Sequence, residues 1–200
     1  MTQRTLRWRV RGRTLCKNAR VAPRRRGLYG EPLIVKRLLR TLPFALLLAS
    51  PFAAATDVSM AGGAIHVPVP DNWVPIMQSQ GDVTETQVFQ VPGSAAADAT
   101  LARVSITLQQ VPNLNGFQQF SGNLRSHASG LKEYVAGKVT SPTENRYTAK
   151  EGTVKLDYFE RYFYSGGYAI QLRCIRPTGD AKWNASFDKG CADVAAHMPS

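Results

Sequence analysis

Only three cysteines occur in the 200-residue chain, too few for a disulfide-dense miniprotein, and its glycines keep no period, which excludes a collagen-like rod. It has a single long apolar run, so it is not a polytopic membrane protein. Acidic residues are almost missing from the first quarter. Met1 to Ala55 holds thirteen Lys and Arg but one acid, Glu31, and carries +12. Thr56 to Ser200 holds twelve basic and thirteen acidic residues, a net −1. The whole-chain charge of +11, which taken globally suggests nucleic acid or anionic lipid as a partner, therefore belongs to a leader. The remainder of the chain is nearly neutral and, at about 145 residues, large enough for one compact core.

The leader has internal order. Lys36, Arg37 and Arg40 precede the apolar stretch Leu42 to Leu48, and Ala53-Ala54-Ala55 closes it. A basic n-region, a short h-region and an A-x-A site formed by Ala53 and Ala55 predict a secretory signal peptide over 35–55, cleaved after Ala55. The apolar stretch is short and is broken by Pro43 and Pro51, so it does not span a bilayer as a mature helix. No Cys stands directly after the cleavage site, which disfavours a lipoprotein. Residues 1–34 are Arg-rich, and Arg24-Arg25-Arg26 lies too far from the apolar run for a twin-arginine signal. The preferred reading is a misassigned start, with translation from Val35 as a GUG codon in a GC-rich bacterial genome. A functional extension is the alternative.

Processing removes Cys16 and leaves Cys174 and Cys191. Tyr168, Ile170, Leu172 and Cys174 alternate on one face of a strand, while Trp183, Phe187, Cys191, Val194 and Met198 recur at helical spacing. Both thiols point to the layer between strand and helix. In an oxidising compartment that predicts a Cys174–Cys191 bridge worth roughly 3 kcal/mol, with two buried free thiols as the alternative. There is no C-x-x-C, so the bridge is read as a staple without redox work.

Along the mature chain, Ala64 to Val69, Thr84 to Val91 and Leu101 to Val111 read as strands, the last two joined by a soft loop from Pro92 to Asp98. Asp71-Asn72-Trp73 reads as a turn. Leu114, Phe117, Phe120, Leu124, Ala128 and Leu131 predict an amphipathic helix over Asn113 to Gly130. A short strand within Tyr134 to Thr140 precedes a polar loop from Ser141 to Arg146. Thr153 to Tyr164 and Tyr168 to Arg176 form a long hairpin about Ser165-Gly166-Gly167, and a last helix opens after Pro177 to Asp180. Strands and helices do not alternate as βαβ units, which predicts an α+β fold of one domain over 56–200.

The strand leading into Val69-Pro70-Asp71-Asn72-Trp73, the mid-chain helix, the strand Tyr168-Ala-Ile-Gln-Leu-Arg173 and the aromatic helix from Trp183 to Phe187 resemble the PsbP-like superfamily. That group includes photosystem II extrinsic subunits, Mog-type Ran-binding factors and bacterial DcrB-like envelope proteins. The resemblance spans most of Ala64 to Met198. It implies an α/β/α sandwich around a mainly antiparallel sheet of about six strands, and a non-enzymatic role in assembly, chaperoning or protein binding. Unlike DcrB-like members, this chain lacks a lipid-anchoring Cys.

The residues offer little chemistry. His66, His127 and His197 fall in neither an H-x-x-x-H nor an H-E-x-x-H arrangement, and Ser126 to Gly130 is not G-x-S-x-G. Phosphate-binding glycine motifs and a paired carboxylate site are missing too. No catalytic residue, metal site or cofactor is nominated. The sequon Asn184-Ala185-Ser186 is read as chance, and the scattered Gln residues as a solvated face.

The densest feature is Tyr158-Phe159-Glu160-Arg161-Tyr162-Phe163-Tyr164. Tyr158, Phe159 and Phe163 are read as core. Tyr162, Tyr164 and Tyr168, with Arg161 and Arg173, are the candidate recognition surface at the hairpin end. The expectation is a monomeric periplasmic binding or accessory protein, neither an enzyme nor membrane-anchored, whose partner is another envelope or secreted protein and not nucleic acid. An immunity-type inhibitor of a toxic envelope enzyme is one alternative. A small hydrolase or lipid carrier, with its site built from residues far apart in sequence, is the other.

Overall fold

The computed structural model describes residues 55–199. The expected leader over 1–34, the apolar run and Ala53 lie outside the described residues, while Ala55 is the first of them. In chain order the elements are β1 (Ala55–Met60), β2 (Ile65–Pro70), β3 (Val74–Gln80), β4 (Thr84–Gln90), α1 (Ala95–Ala99) and β5 (Arg103–Gln110). The chain continues through α2 (Leu114–Ser129), β6 (Val135–Ala136), β7 (Glu144–Glu151), β8 (Val154–Ser165), β9 (Tyr168–Pro177) and α3 (Ala181–Ala196). Strands β3 to β9 form one antiparallel sheet in the order β3-β4-β5-β9-β8-β7-β6, and β1 pairs with β2 as a separate hairpin. The fold is α+β and layered as expected, with seven strands in the main sheet rather than about six.

One face of the sheet carries the larger core. Val104, Ile106, Leu108, Ile170, Leu172 and Cys174 alternate inward from β5 and β9, and meet Phe187, Cys191 and Val194 of α3 together with Val67 and Val69 of β2. The outer layer on this side is therefore a helix beside a hairpin. Cys174 and Cys191 are bonded, with Cα atoms 6.5 Å apart, and both are buried. On the opposite face α2 lays Phe117 and Phe120 on Tyr162 and Ala169, and Ala128 on the side of Tyr147, Tyr158 and Ile175.

Local chemistry sets the boundaries. Asn113 caps α2 by accepting from Gly116 N at 3.0 Å, and Asp180 caps α3 by accepting from Trp183 N at 3.2 Å. The β8–β9 hairpin turns on Gly166 and Gly167, both at positive φ, as a two-residue turn that follows strand twist requires. Asp71-Asn72 turns the chain as expected, with Trp73 N bonded to Pro70 O at 3.0 Å.

Three elements depart from the sequence reading. The loop from Pro92 to Asp98 contains α1, because Ser94 caps it by accepting from Ala97 N at 3.2 Å. The polar loop from Ser141 to Arg146 already holds the start of β7, since Glu144 and Asn145 are buried against polar partners. Val74 to Gln80 form β3, which shows no alternation because all seven residues are exposed at the sheet edge.

Candidate interaction surface

The five residues expected at the hairpin end do not form one surface. Strand alternation divides them. Tyr162 and Tyr164 join the cluster under α2, and Arg173 stands opposite Glu160 on that same face. Arg161 is paired with Leu172 and Tyr168 packs on the core below α3, so these two belong to the other face. Tyr162, at 2% exposure, is a core residue. Tyr164 is partly buried against Phe117, ring centroids 5.8 Å apart. Of the residues read as core, Tyr158 is buried and Phe159 and Phe163 are partly buried on the α3 face.

What Tyr162 and Arg173 serve instead is Glu160, which is 1% exposed. Tyr162 Oη donates to Glu160 Oε2 at 2.6 Å, Tyr147 Oη to Oε1 at 2.8 Å and Asn145 Nδ2 to Oε2 at 3.1 Å. Arg173 Nε lies 3.0 Å from Oε1 as an ion pair without hydrogen-bond alignment, and its Nη2 donates to Tyr147 Oη at 3.2 Å. Burial and the adjacent Glu160 charge push both phenols, Tyr147 and Tyr162, far above their ordinary range. Burial by itself would lower the Arg173 guanidinium, but Tyr147 and Glu160 outweigh it and hold it more basic than usual. The network lies between the two apolar clusters that α2 covers; Asn145, Tyr147, Glu160 and Tyr162 are buried, while the Arg173 side chain is partly exposed.

The described surface has two clefts of note. One, of about 290 Å³, lies between β6, β7 and α3. Lys138, Arg146 and Arg176 line it: Arg146 stands 4.1 Å over the Phe159 ring, and Arg176 pairs with Asp157 at 2.5 Å and Asp188 at 2.7 Å. The other, of about 410 Å³, runs between β1 and the β3–β4 edge, lined by Thr56, Val58, Asp71, Trp73, Pro75, Gln78 and Phe89 among others. Among the described residues no three His, Cys, Asp or Glu side chains converge as a metal cluster. His66 bonds Asp57 at 2.8 Å, and His197 Nδ1 lies 2.8 Å from Asp193 O. Asn184 is buried and its Nδ2 donates to Gly179 O at 2.5 Å, which withdraws the sequon from glycosylation in the folded chain.

Beside the second cleft lies the surface that sequence reasoning missed. Val74, Ile76 and Met77 are 49%, 42% and 52% exposed on β3, whose seven residues include no charge. Among the described residues β3 has a partner, β4, on one side only. Natural edge strands are usually blunted by charge, proline or a bulge. Here Pro75 and a register shift at Ile76 protect the first half, while Met77 to Gln80 continue in unbroken register with β4. The signal available in sequence was Val-Pro-Ile-Met directly after a turn, an apolar run of no helical or strand period.

No protein-family model and no curated protein matches the chain. Among solved structures it is similar to the Ran-binding protein Mog1p of Saccharomyces cerevisiae, at 13% identity and TM-score 0.42 over 73% of this chain and 93% of that one. It is also similar to cyanobacterial PsbP, CyanoP, from Synechocystis, at 12% identity and TM-score 0.45 over 78% and 99%. A third likeness is to LpqN, involved in cell envelope biogenesis of Mycobacterium tuberculosis, at 12% identity and TM-score 0.37 over 73% and 91%. Likenesses of this size carry no activity from one chain to another.

Proposed function

We propose that this is an exported, non-enzymatic accessory protein that holds an extended segment of another envelope or secreted protein along the β3 edge. The observation that carries the reading is β3 itself: an uncharged edge strand with three large apolar side chains in solvent. Apolar groups left together on a surface mark binding sites, and strand addition supplies main-chain hydrogen bonds that an isolated edge lacks. Export is supported by the n-, h- and c-region order of the leader, and by the buried disulfide, which suits an oxidising compartment. Cleavage after Ala55 would cost β1 only its terminal pair, Ala55 with Pro70, and leave Thr56 to Met60 in the hairpin.

The test is site-specific photocrosslinking in intact cells, with a photoreactive residue at Met77 and, as control, at the exposed Lys189 of α3. A discrete adduct at position 77 and none at 189 is expected. No adduct at 77, or equal adducts at both, removes β3 as the interaction site.

A further inference from the structure

The mature domain is near neutral only as a sum. From Thr56 to Ala102 there are five carboxylates, Asp57, Asp71, Asp82, Glu85 and Asp98, and no Lys or Arg at all. All twelve Lys and Arg of the mature domain lie from Arg103 onward. Because β3 and β4 are one edge of the sheet, this partition in sequence is also a partition in space. Asp71 stands in the turn before β3 and Asp82 in the turn after it, both exposed. Thr56 Oγ1 donates to Asp71 Oδ1 at 2.7 Å, which leaves its other oxygen open. Among the described residues neither aspartate forms an ion pair.

Building on the reading of β3 as a docking strand, we propose that its partner is a basic segment: an extended apolar strand with Lys or Arg at each end. Seven residues of strand span roughly 23 Å at ~3.3 Å per residue, so the two cations would be about eight residues apart to meet Asp71 and Asp82. Alternate side chains of the added strand would cover the groove floored by Trp73 and Phe89 and walled by Val58 and Pro75. The same charges argue against a second copy as occupant. In an antiparallel β3–β3 pair the Asp71 end of one strand meets the Asp82 end of the other, and like charges opposite one another are destabilising.

The experiment uses the processed protein and three fluorescein-labelled peptides with one alternating valine and threonine core. One has lysine at both ends, one has glutamate at both ends, and one is the lysine peptide with alternate backbone amides N-methylated. Anisotropy at about 50 mM salt should show the lysine peptide binding about tenfold tighter than the glutamate peptide, with the gap closing at about 500 mM. The N-methylated peptide should lose binding, and amide shifts on titration should be largest over 77–80, the part of β3 in unbroken register. Asp71→Asn with Asp82→Asn should abolish the preference without changing Tm, since Asn at 71 keeps an acceptor for Thr56. Asp82→Asn alone should reduce it.

Equal or tighter binding of the glutamate peptide overturns the basic partner while leaving strand capture standing. A crosslinked adduct at Met77 with no binding of either unmethylated peptide overturns the extended-strand class and keeps the surface. Self-association in sedimentation at about 100 μM that Met77→Lys abolishes would make a second copy the occupant and overturn the proposal.

Discussion

Glu160 shows how much a single buried side chain decides. Three neutral donors and one partly exposed guanidinium hold its buried carboxylate. Removing one member of such a buried pair typically costs about 3–5 kcal/mol, because the other charge is left uncompensated. The surrounding phenols give it an alkaline signature. Burial raises Tyr147, Tyr158 and Tyr162 above the free phenol range, with Glu160 adding to the shift at Tyr147 and Tyr162 and Glu151 at Tyr158. Their folded pKa lies above the unfolded value, so their contribution is intact below about pH 10 and is lost as pH rises through the folded range. The unfolding free energy measured in urea from pH 9 to 12 should fall with a slope of up to about 1.4 kcal/mol per pH unit for each tyrosine. Tyr162→Phe should decline about a third less steeply, and parallel slopes would show that Tyr162 is not among the titrating groups. In sequence, alternation already placed positions 158, 160 and 162 on one face. It does not say that the face is buried under a helix, and so Tyr162 and Arg173 read as exposed.

At the level of elements, strong local patterns were legible and edges were not. The α2 and α3 stripes, their Asn113 and Asp180 caps and the Gly166-Gly167 hairpin follow from spacing and turn chemistry. The Cys174–Cys191 bridge follows from the same spacing, and formed as expected. β3 and β7 escaped because an edge strand need not alternate, and because the buried polar residues at the head of β7 mimic a loop. Junctions between elements rest on close approach. A methyl group at Gly93 would fall 1.6 Å from Trp183 Nε1, and one at Gly190 would fall 3.2 Å from Trp73 Cζ2. Gly93→Ala must displace the Trp183 indole from Phe187, whose ring centroid is 5.2 Å away. A loss of about 1–3 kcal/mol by chemical denaturation is expected, with a shift in tryptophan emission. In a Trp183→Ala background the same change should cost little. An equal loss in both backgrounds would mean that the indole is not the obstacle.

Across the entire domain, charge is unevenly divided: residues 56–102, which include the β3–β4 edge, carry five acids and no Lys or Arg, while residues 103–200 carry twelve basic and eight acidic residues. Among the described residues no helix is long and apolar enough to cross a membrane. Met77 is more than half exposed, so Met77→Lys should change stability by less than about 0.5 kcal/mol. With the photoreactive group moved to Ser79, the adduct should nonetheless fall several-fold, measured by immunoblot beside a Tm. A coupled drop in Tm would assign Met77 to the fold instead of to binding.

The α+β class, the long hairpin, the two main helices, the disulfide and the confinement of excess positive charge to residues 1–55 were all readable from the order of residues. Each of these depends on period, spacing or counting along one chain, which folding does not alter. Which strand is an edge, which face each aromatic joins and where on the sheet the acidic segment falls were settled only by packing. Those are relations between segments far apart in sequence: β5 pairs with β9 past the intervening α2 and β6 to β8, and β3 remains open because no other described strand is placed beside it.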